Sequence, residues 1–283
     1  MSKKTGSVQK YIEDFWTRFK RKRRSFSQKL EGGGYDTSIN KPVLTGKMGQ
    51  EVAKKARIIE GIEVFGGVDI KDMGDNFFPV YTDLNDITSK PDVIIDFSIP
   101  EASFKILEYA KKNKIPTVIA TTGFSEKDLE KVREYGNYIP VFQSYNMSYT
   151  VSVMSKIVSE LAQKLENADI EIVETHHRRK IDSPSGTAIL LANSINEALD
   201  GKMDYEYNRH SKRESRKNNE IGIHSIRGGT ESGKHSVIFF GEDESLEITH
   251  NVTSRAVFAE GAIKAAKFLV HKDKGLYTMK DLS

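Results

Sequence analysis

Cysteine is absent from the 283 residues, and that absence excludes disulfides, thiolate zinc sites, iron–sulfur clusters and cysteine nucleophiles. Long apolar runs are missing too: none approaches the roughly 18–20 residues that a bilayer-crossing helix needs, so no membrane span is expected. The N-terminus is basic but has no apolar stretch behind it, which argues against a secretory leader. Hydrophobic residues are only 37% of the chain, lean but sufficient for a packed core. A cytoplasmic protein of one large or two modest domains is the expectation.

A strong net charge is also lacking, because two unequal parts cancel. Residues 1–40 hold ten Lys/Arg against four Asp/Glu (+6), and the rest holds 33 against 36 (−3), which together make the net +3. Basicity therefore belongs to residues 1–40, and no nucleic-acid partner is expected for the body. Within that extension, residues 9–30 (QKYIEDFWTRFKRKRRSFSQKL) suit either a solvated tail or a basic helix for RNA or an anionic membrane.

What is present from about Gly61 onward is an alternation of strand-like and helix-like runs. Ile62–Asp69, Asp92–Ser98, Pro116–Thr122 and Ile139–Ser144 read as strands, and Pro100–Asn113 as a helix. Ser125 with Asp128 three residues on makes an N-cap signal for a helix through Arg133. Near-continuous apolar strands separated by helices predict a parallel sheet covered on both faces. After Ser148 the rhythm changes. Helices near Val151–Leu165 and Thr187–Leu199 flank a strand at Ala168–Glu174. A Lys/Arg-rich loop (207–219) then precedes strand-like runs at 221–227, 235–240 and 245–252, which suggests a mixed or antiparallel sheet. A helix over Arg255–Val270 follows.

Open parallel sheets bind ligands beyond the carboxyl ends of their strands. Gly46-Lys47-Met48-Gly49 opens a helix, where two glycines three apart allow close backbone approach to a pyrophosphate; an ordinary turn needs the same residues. The stretch ahead, Thr37–Val43, reads as a poor first strand. Asp69 stands 20 residues after Gly49, where a carboxylate accepts from ribose hydroxyls; Lys71 nearby would suit a 2′-phosphate, and a plain turn aspartate fits as well. Thr121-Thr122-Gly123 ends another strand with two hydroxyls and a flexible residue.

The densest stretch is Glu174–Ala188 (ETHHRRKIDSPSGTA). His176, His177, Arg178, Arg179 and Lys180 repel one another unless solvent or an anion compensates. Ser183-Pro184-Ser185-Gly186-Thr187 then turns into a helix, with free N–H groups and hydroxyls converging where a carboxylate would dock. An imidazole here could deliver a proton near neutral pH. A solvated basic loop before a capped helix is the competing reading. Zinc is disfavoured, since adjacent histidines point to opposite strand faces and no third ligand is suitably spaced.

The block His176–Ala188 resembles, nearly residue for residue, the signature of the 4-hydroxy-tetrahydrodipicolinate reductase family, nicotinamide-dependent enzymes of lysine and diaminopimelate synthesis. The likeness extends through Asp96-Phe97-Ser98, Ala120–Gly123, Asn146-Met147-Ser148, Ile226–Gly229 and Leu246–His250, from about residue 44 onward. It implies an α/β fold with a Rossmann-like nucleotide-binding domain (41–147 and 254–283) and an inserted α/β domain (148–253) for substrate binding and homotetramer assembly. It further implies NADH or NADPH as cofactor, a small dicarboxylate as substrate and no metal. His176 would be the proton donor with Lys180 as its partner. Lys180, His177, Ser185, Gly186 and Thr187 would hold the substrate carboxylates. Gly46, Met48, Gly49, Asp69, Phe97, Thr121, Thr122, Gly123, Asn146 and Met147 would surround the cofactor.

The chain departs from the family at its start. About 40 residues precede the glycine turn, and Val43 stands where the family's leading glycine belongs, so a side chain there would crowd a pyrophosphate. Residues 1–40 are either a basic arm or the product of a shifted start or frame. Two other functions fit the same residues: reduction of another small cyclic dicarboxylate, and a binding or regulatory role with cofactor affinity lost.

Overall fold

The structure, a computed structural model, describes residues 39–44, 47–69, 78–87 and 90–282, with side chains from residue 48 onward. The basic stretch 1–38, Thr45, Gly46 and Lys71 lie outside the described residues. Two sheets belong to one unit spanning Ser38–Ser283.

The first sheet begins with β1 (Ile39–Leu44), α1 (Lys47–Ala56), β2 (Ile62–Val68), β3 (Val80–Tyr81) and β4 (Ile94–Asp96). It continues through α2 (Pro100–Asn113), β5 (Thr117–Ile119), α3 (Glu126–Tyr135) and β6 (Pro140–Gln143). Pro100 occupies the first turn of α2, where its missing N–H costs nothing. Ser125 and Asp128 cap α3 reciprocally, as the sequence predicted.

The chain then builds a second sheet. α4 (Tyr149–Lys164), β7 (Asp169–His176), α5 (Gly186–Ala198), β8 (Asp204–Glu206), β9 (Glu220–Arg227), β10 (Lys234–Phe240) and β11 (Ser245–Asn251) follow in turn. Its order is β11-β10-β7-β9-β8, antiparallel from β11 to β7 and parallel from β7 to β8. After α6 (Ala256–Leu269), β12 (Gly275–Tyr277) returns to the first sheet beside β6, and α7 (Met279–Leu282) follows.

The first sheet runs β12-β6-β5-β4-β1-β2-β3, with every described pairing parallel. Successive residues of its strands bury into opposite layers. Ile95, Val118 and Phe142 pack beneath α1 and α6, while Ile94, Ile119 and Val141 pack beneath α2 and α3. That is why these strands read as unbroken apolar runs. Among the described residues the second sheet is covered on one face: Ile170, Ile172, Ile221, Ile223, Val237 and Phe239 meet Met154 and Val158 of α4 and Leu191 and Ile195 of α5. Each fully buried residue of this kind stabilises the fold by roughly 1.5–3 kcal/mol.

Thr37–Val43 was expected to make a poor strand, yet β1 pairs with β2 along its length and with β4 at Val43. Pro42 supplies no N–H, and the β1–β2 register shifts between Lys41 and Pro42. Neighbours on both sides outweigh the local signal. Val43 itself lies within the strand, across from Gly67 and Ile95. Three short strands, β3, β8 and β12, carry too few residues for a periodicity and escape sequence reading. The loop at 207–219 is polar, as expected, but it is tied down: Arg209 pairs with Glu220, Lys212 with Glu206, and Arg216 with Asp169 and Glu171.

α6 meets the segment leading into α4 at a glycine. A Cβ at Gly261 would stand 1.6 Å from the Met147 carbonyl oxygen, a backbone atom that cannot swing aside. Gly261→Ala is therefore expected to destabilise the fold by about 3 kcal/mol through overpacking, read as a lower urea midpoint at unchanged slope.

Candidate active site

Within the first sheet, β1 lies between β2 and β4, so the connections to its two sides diverge and leave a crevice at the carboxyl ends. The residues expected at a cofactor line this end. Met48 and Gly49 open α1, Asp69 directly follows β2, Phe97 follows β4, Thr121–Gly123 follow β5, and Asn146 and Met147 follow β6. Thr122 and Gly123 are exposed, and Gly123 has φ +86°, a conformation that favours glycine.

Thr121 behaves differently from its neighbour. Its side chain is buried, and Oγ1 donates to Asp96 Oδ2 at 3.2 Å. The hydroxyl is thus used inside the fold, and only the Thr122 hydroxyl stands at the surface. Asp96 also accepts from Ser103 Oγ (2.5 Å) and from the Ser98 N–H (2.8 Å), so one carboxylate ties the ends of β4 and β5 to the first turn of α2. Burial pushes its carboxyl up, opposed by those hydroxyl and N–H bonds.

The second group of residues gathers at the end of β7. Alternation along this strand sends Ile170, Ile172, Glu174 and His176 to one face. The first two reach the core, and the last two reach the site. Glu174 has no exposed surface. Arg227 of β9 donates to it twice, at 2.8 and 2.7 Å; His176 Nδ1 donates at 2.5 Å, and the Ser185 N–H at 3.2 Å. Burial raises the Glu174 carboxyl, but the Arg227 and His176 bonds more than offset this and bring it down to about 2. Because the carboxylate can only accept, the His176 Nδ1 carries a proton, and Nε2 is the ring nitrogen turned towards Gly233. About 11% of the His176 side chain stays exposed, enough to be reached. A Cβ at Gly233 would stand 3.0 Å from Nε2, so the glycine leaves that nitrogen uncovered.

The five-cation cluster divides in the fold. Arg178 and Arg179 are exposed, while Lys180 is half-buried with its ammonium on Asp182 Oδ1 at 2.8 Å. The Asp182 carbonyl in turn accepts from Arg227, at 2.7 Å. His177 points its Nδ1 into the protein without a hydrogen-bond partner among the described residues, and its N–H donates to the Glu231 carbonyl. Ser185 caps α5 by accepting from the Ala188 N–H at 3.2 Å, Gly186 is exposed behind it, and Thr187 Oγ1 accepts from Asn146 Nδ2 at 2.7 Å. That last bond joins the end of β6 to the start of α5, so residues expected at the cofactor and at the substrate meet.

Sequence reasoning missed four participants. Glu174 had a signal: it lies two residues before His176 in an alternating strand, hence on the same face. Asp96 was named only within a motif. Arg227 and His235 reach the site through sheet register, with Arg227 opposite His176 and His235 opposite Glu174. His235 is buried, T-stacked on His176 at 5.1 Å, and shares a 2.8 Å hydrogen bond between Nε2 and Ser185 Oγ. Burial and the adjacent His176 push its pKa down to about 3, and burial also lowers His250.

Residues 44–147 match the family model for the N-terminus of dihydrodipicolinate reductase, and residues 150–282 match that for the C-terminus. The chain belongs to the dihydrodipicolinate reductase family. The reductase is 52% identical over 237 residues to the 4-hydroxy-tetrahydrodipicolinate reductase of Caldanaerobacter subterraneus subsp. tengcongensis, a match covering 84% of this chain and 94% of that protein. It is 41% identical over 240 residues to the same-named protein of Clostridium novyi, with 84% and 94% covered. A dipicolinate-bound dihydrodipicolinate reductase from Paenisporosarcina sp. TG-14 superposes with a TM-score of 0.71 at 27% identity, covering 87% of this chain and 99% of that one. Among the described residues of the reductase, no helix is long and apolar enough to cross a membrane.

The buried histidines set an acid limit on the reductase. A ring that stays neutral when folded, down to about 3, takes up a proton near 6.5 when unfolded. The unfolded chain therefore binds more protons between these values, and stability rises with pH across them. Glu174 works in a lower window: its contribution is complete above about 4.5 and is lost as pH falls towards 2. Unfolding free energy should thus drop from pH 6.5 to pH 4.5, before the Glu174 window opens, and His235→Gln should flatten that slope; urea titrations at stepped pH measure both.

Proposed function

We propose that the chain reduces 4-hydroxy-tetrahydrodipicolinate to tetrahydrodipicolinate with NADH or NADPH, a step of lysine and diaminopimelate synthesis carried out in the cytoplasm. The observation that carries this reading is the meeting of two sets of groups. A proton-bearing imidazole held by Glu174 lies beside a capped helix start and the Lys180 ammonium, and Asn146 links that helix to the nucleotide-type crevice. The dipicolinate bound by the Paenisporosarcina relative supports a planar dicarboxylate ligand.

The division of labour proposed is nucleotide binding by residues 41–147 and 254–283, and substrate binding by 148–253. The crevice beside β1 suits a dinucleotide. Met48, Gly49 and Gly46 would line its pyrophosphate, Asp69 its ribose, and Phe97, Thr121–Gly123, Asn146 and Met147 its nicotinamide end. Asp69 accepts from free ribose hydroxyls, which suits NADH, while Lys71 would suit the extra phosphate of NADPH; use of both follows. When bound, the reduced nicotinamide supplies a hydride.

The chain's own groups do the rest. Loss of the 4-hydroxyl as water leaves a conjugated cyclic imine whose carbon 4 accepts the hydride. The electron pair displaced towards carbon 3 takes a proton there. His176, protonated on both ring nitrogens for this step, keeps its Nδ1 proton on Glu174, gives its Nε2 proton to carbon 3 and is left neutral. Lys180, His177 and the N–H and hydroxyl groups of Ser185–Thr187 hold the two carboxylates, which exchange solvent for charge-assisted hydrogen bonds. Asp182 holds the Lys180 ammonium at 2.8 Å, and a substrate carboxylate would compete with it for that charge.

Coupled assays with freshly generated substrate and either nucleotide test this reading. His176→Asn is expected to lower kcat by about 10²–10³-fold at unchanged nucleotide affinity. Lys180→Met should act chiefly on the substrate KM. A wild-type chain that binds neither nucleotide overturns the proposal and leaves a binding role.

A homotetramer built through the second sheet is also proposed. The face of that sheet turned away from α4 and α5 carries Val173, Ile226, Ile238 and Phe240, with Ile226 51% and Phe240 42% exposed. Apolar residues spread across adjacent strands, on a face that no described element covers, suit burial against a second copy. Light scattering should give four chains, and the double variant Ile226→Glu with Phe240→Glu should give smaller species; a monomeric wild type overturns the assembly.

A further inference from the structure

We propose that His235 is a positioning residue for the substrate: carrying its proton on Nε2, it donates to Ser185 Oγ and so turns the single Ser185 hydroxyl proton towards a ligand carboxylate. The proposal comes from counting hydrogen-bond capacity. A serine hydroxyl has one proton and two acceptor sites. One site on Ser185 accepts from the Ala188 N–H at 3.2 Å, which caps α5. The other lies 2.8 Å from His235 Nε2. If Nε2 carried no proton, Ser185 would spend its own proton on the ring and have none for a ligand.

The surroundings of the ring select between the two tautomers. His235 is 96% buried, and its Nδ1 has no hydrogen-bond partner among the described residues. A proton on Nδ1 would be a buried N–H donor with nothing to receive it, a state that folded proteins rarely tolerate. A bare lone pair on Nδ1 is the milder orphan. Burial keeps the ring neutral, and His176, stacked on it at 5.1 Å, adds to this. Glu174, its register partner, is taken up by Arg227, His176 and the Ser185 N–H. Ser185 is thus gripped from two sides, its N–H by a carboxylate and its oxygen by an imidazole, leaving its proton as the movable element. The inference rests on the dicarboxylate reading of the site.

The probe is dipicolinate, titrated by calorimetry into the NADH-loaded full chain. His235→Phe is expected to weaken dipicolinate about tenfold. His235→Gln, whose amide N–H₂ reaches the position of Nε2, should stay within about threefold of wild type. In a Ser185→Ala background His235→Phe should add less than about twofold, because the effect passes through the hydroxyl. The nucleotide Kd should be unchanged throughout, and KM for substrate should rise more than kcat falls. An equal loss in the Phe variant with or without Ser185 overturns the proposal, as does a Gln variant as weak as the Phe variant at unaltered melting temperature. The ¹⁵N shifts of histidine-labelled wild-type enzyme decide independently of any variant: a proton on Nε2 supports the proposal and one on Nδ1 overturns it. If wild type fails to bind dipicolinate at all, the dicarboxylate reading falls, and the tautomer still judges His235.

Discussion

Glu174 is a carboxylate with no exposed surface, and it stays ionised because Arg227 meets it with two parallel N–H···O bonds. Three further features follow from that one charged pair. His176 is held by Nδ1, the Ser185 N–H is drawn in at the start of α5, and the Asp182 carbonyl is anchored by the same guanidinium. Removing either partner of such a pair leaves a buried charge uncompensated, at a cost of about 3–5 kcal/mol. The His176 ring, the proposed proton donor, is therefore held from behind.

A second buried carboxylate plays the matching part in the first sheet. Asp96 collects Ser98, Ser103 and Thr121 at the carboxyl ends of β4 and β5. Asp96 ends β4, where backbone groups leave the ladder and need other partners, and Glu174 lies two residues before the end of β7. Asn146 spans the interval between the two, accepting from the Ser148 N–H while donating to Thr187. The crevice and the loop are thus joined by one amide side chain. In the proposed reaction a proton donor and a hydride donor would face one substrate ring, and the Asn146–Thr187 bond would hold the spacing of their supports.

The fold was legible in proportion to local repetition. Pro100–Asn113 was readable to the residue because a proline start and a three-residue apolar rhythm both persist for several turns. The strands around Ile94, Val118 and Val141 were readable as apolar runs because helices cover both faces. β1 was not, since its sequence carries a lysine and a proline and its pairing comes from β2 and β4. β3, β8 and β12 are held by neighbours far away in sequence and have almost no pattern of their own.

The sequence by itself determined the chemistry available: no thiols, a dense run of His, Arg and Lys, and a Ser-Pro-Ser-Gly-Thr turn into a helix. It determined the family as well, because thirteen consecutive residues of unusual composition seldom recur by chance. How those cations divide was decided only in three dimensions, where Arg178 and Arg179 turn to solvent and Lys180 is half-buried against Asp182. So was the partnership of Arg227 and His235 with Glu174, residues 53 and 61 positions away along the chain. The physical reason is that strand periodicity assigns a side chain to a face, whereas the neighbour it meets there depends on the register between strands, and register is set by packing across the whole sheet.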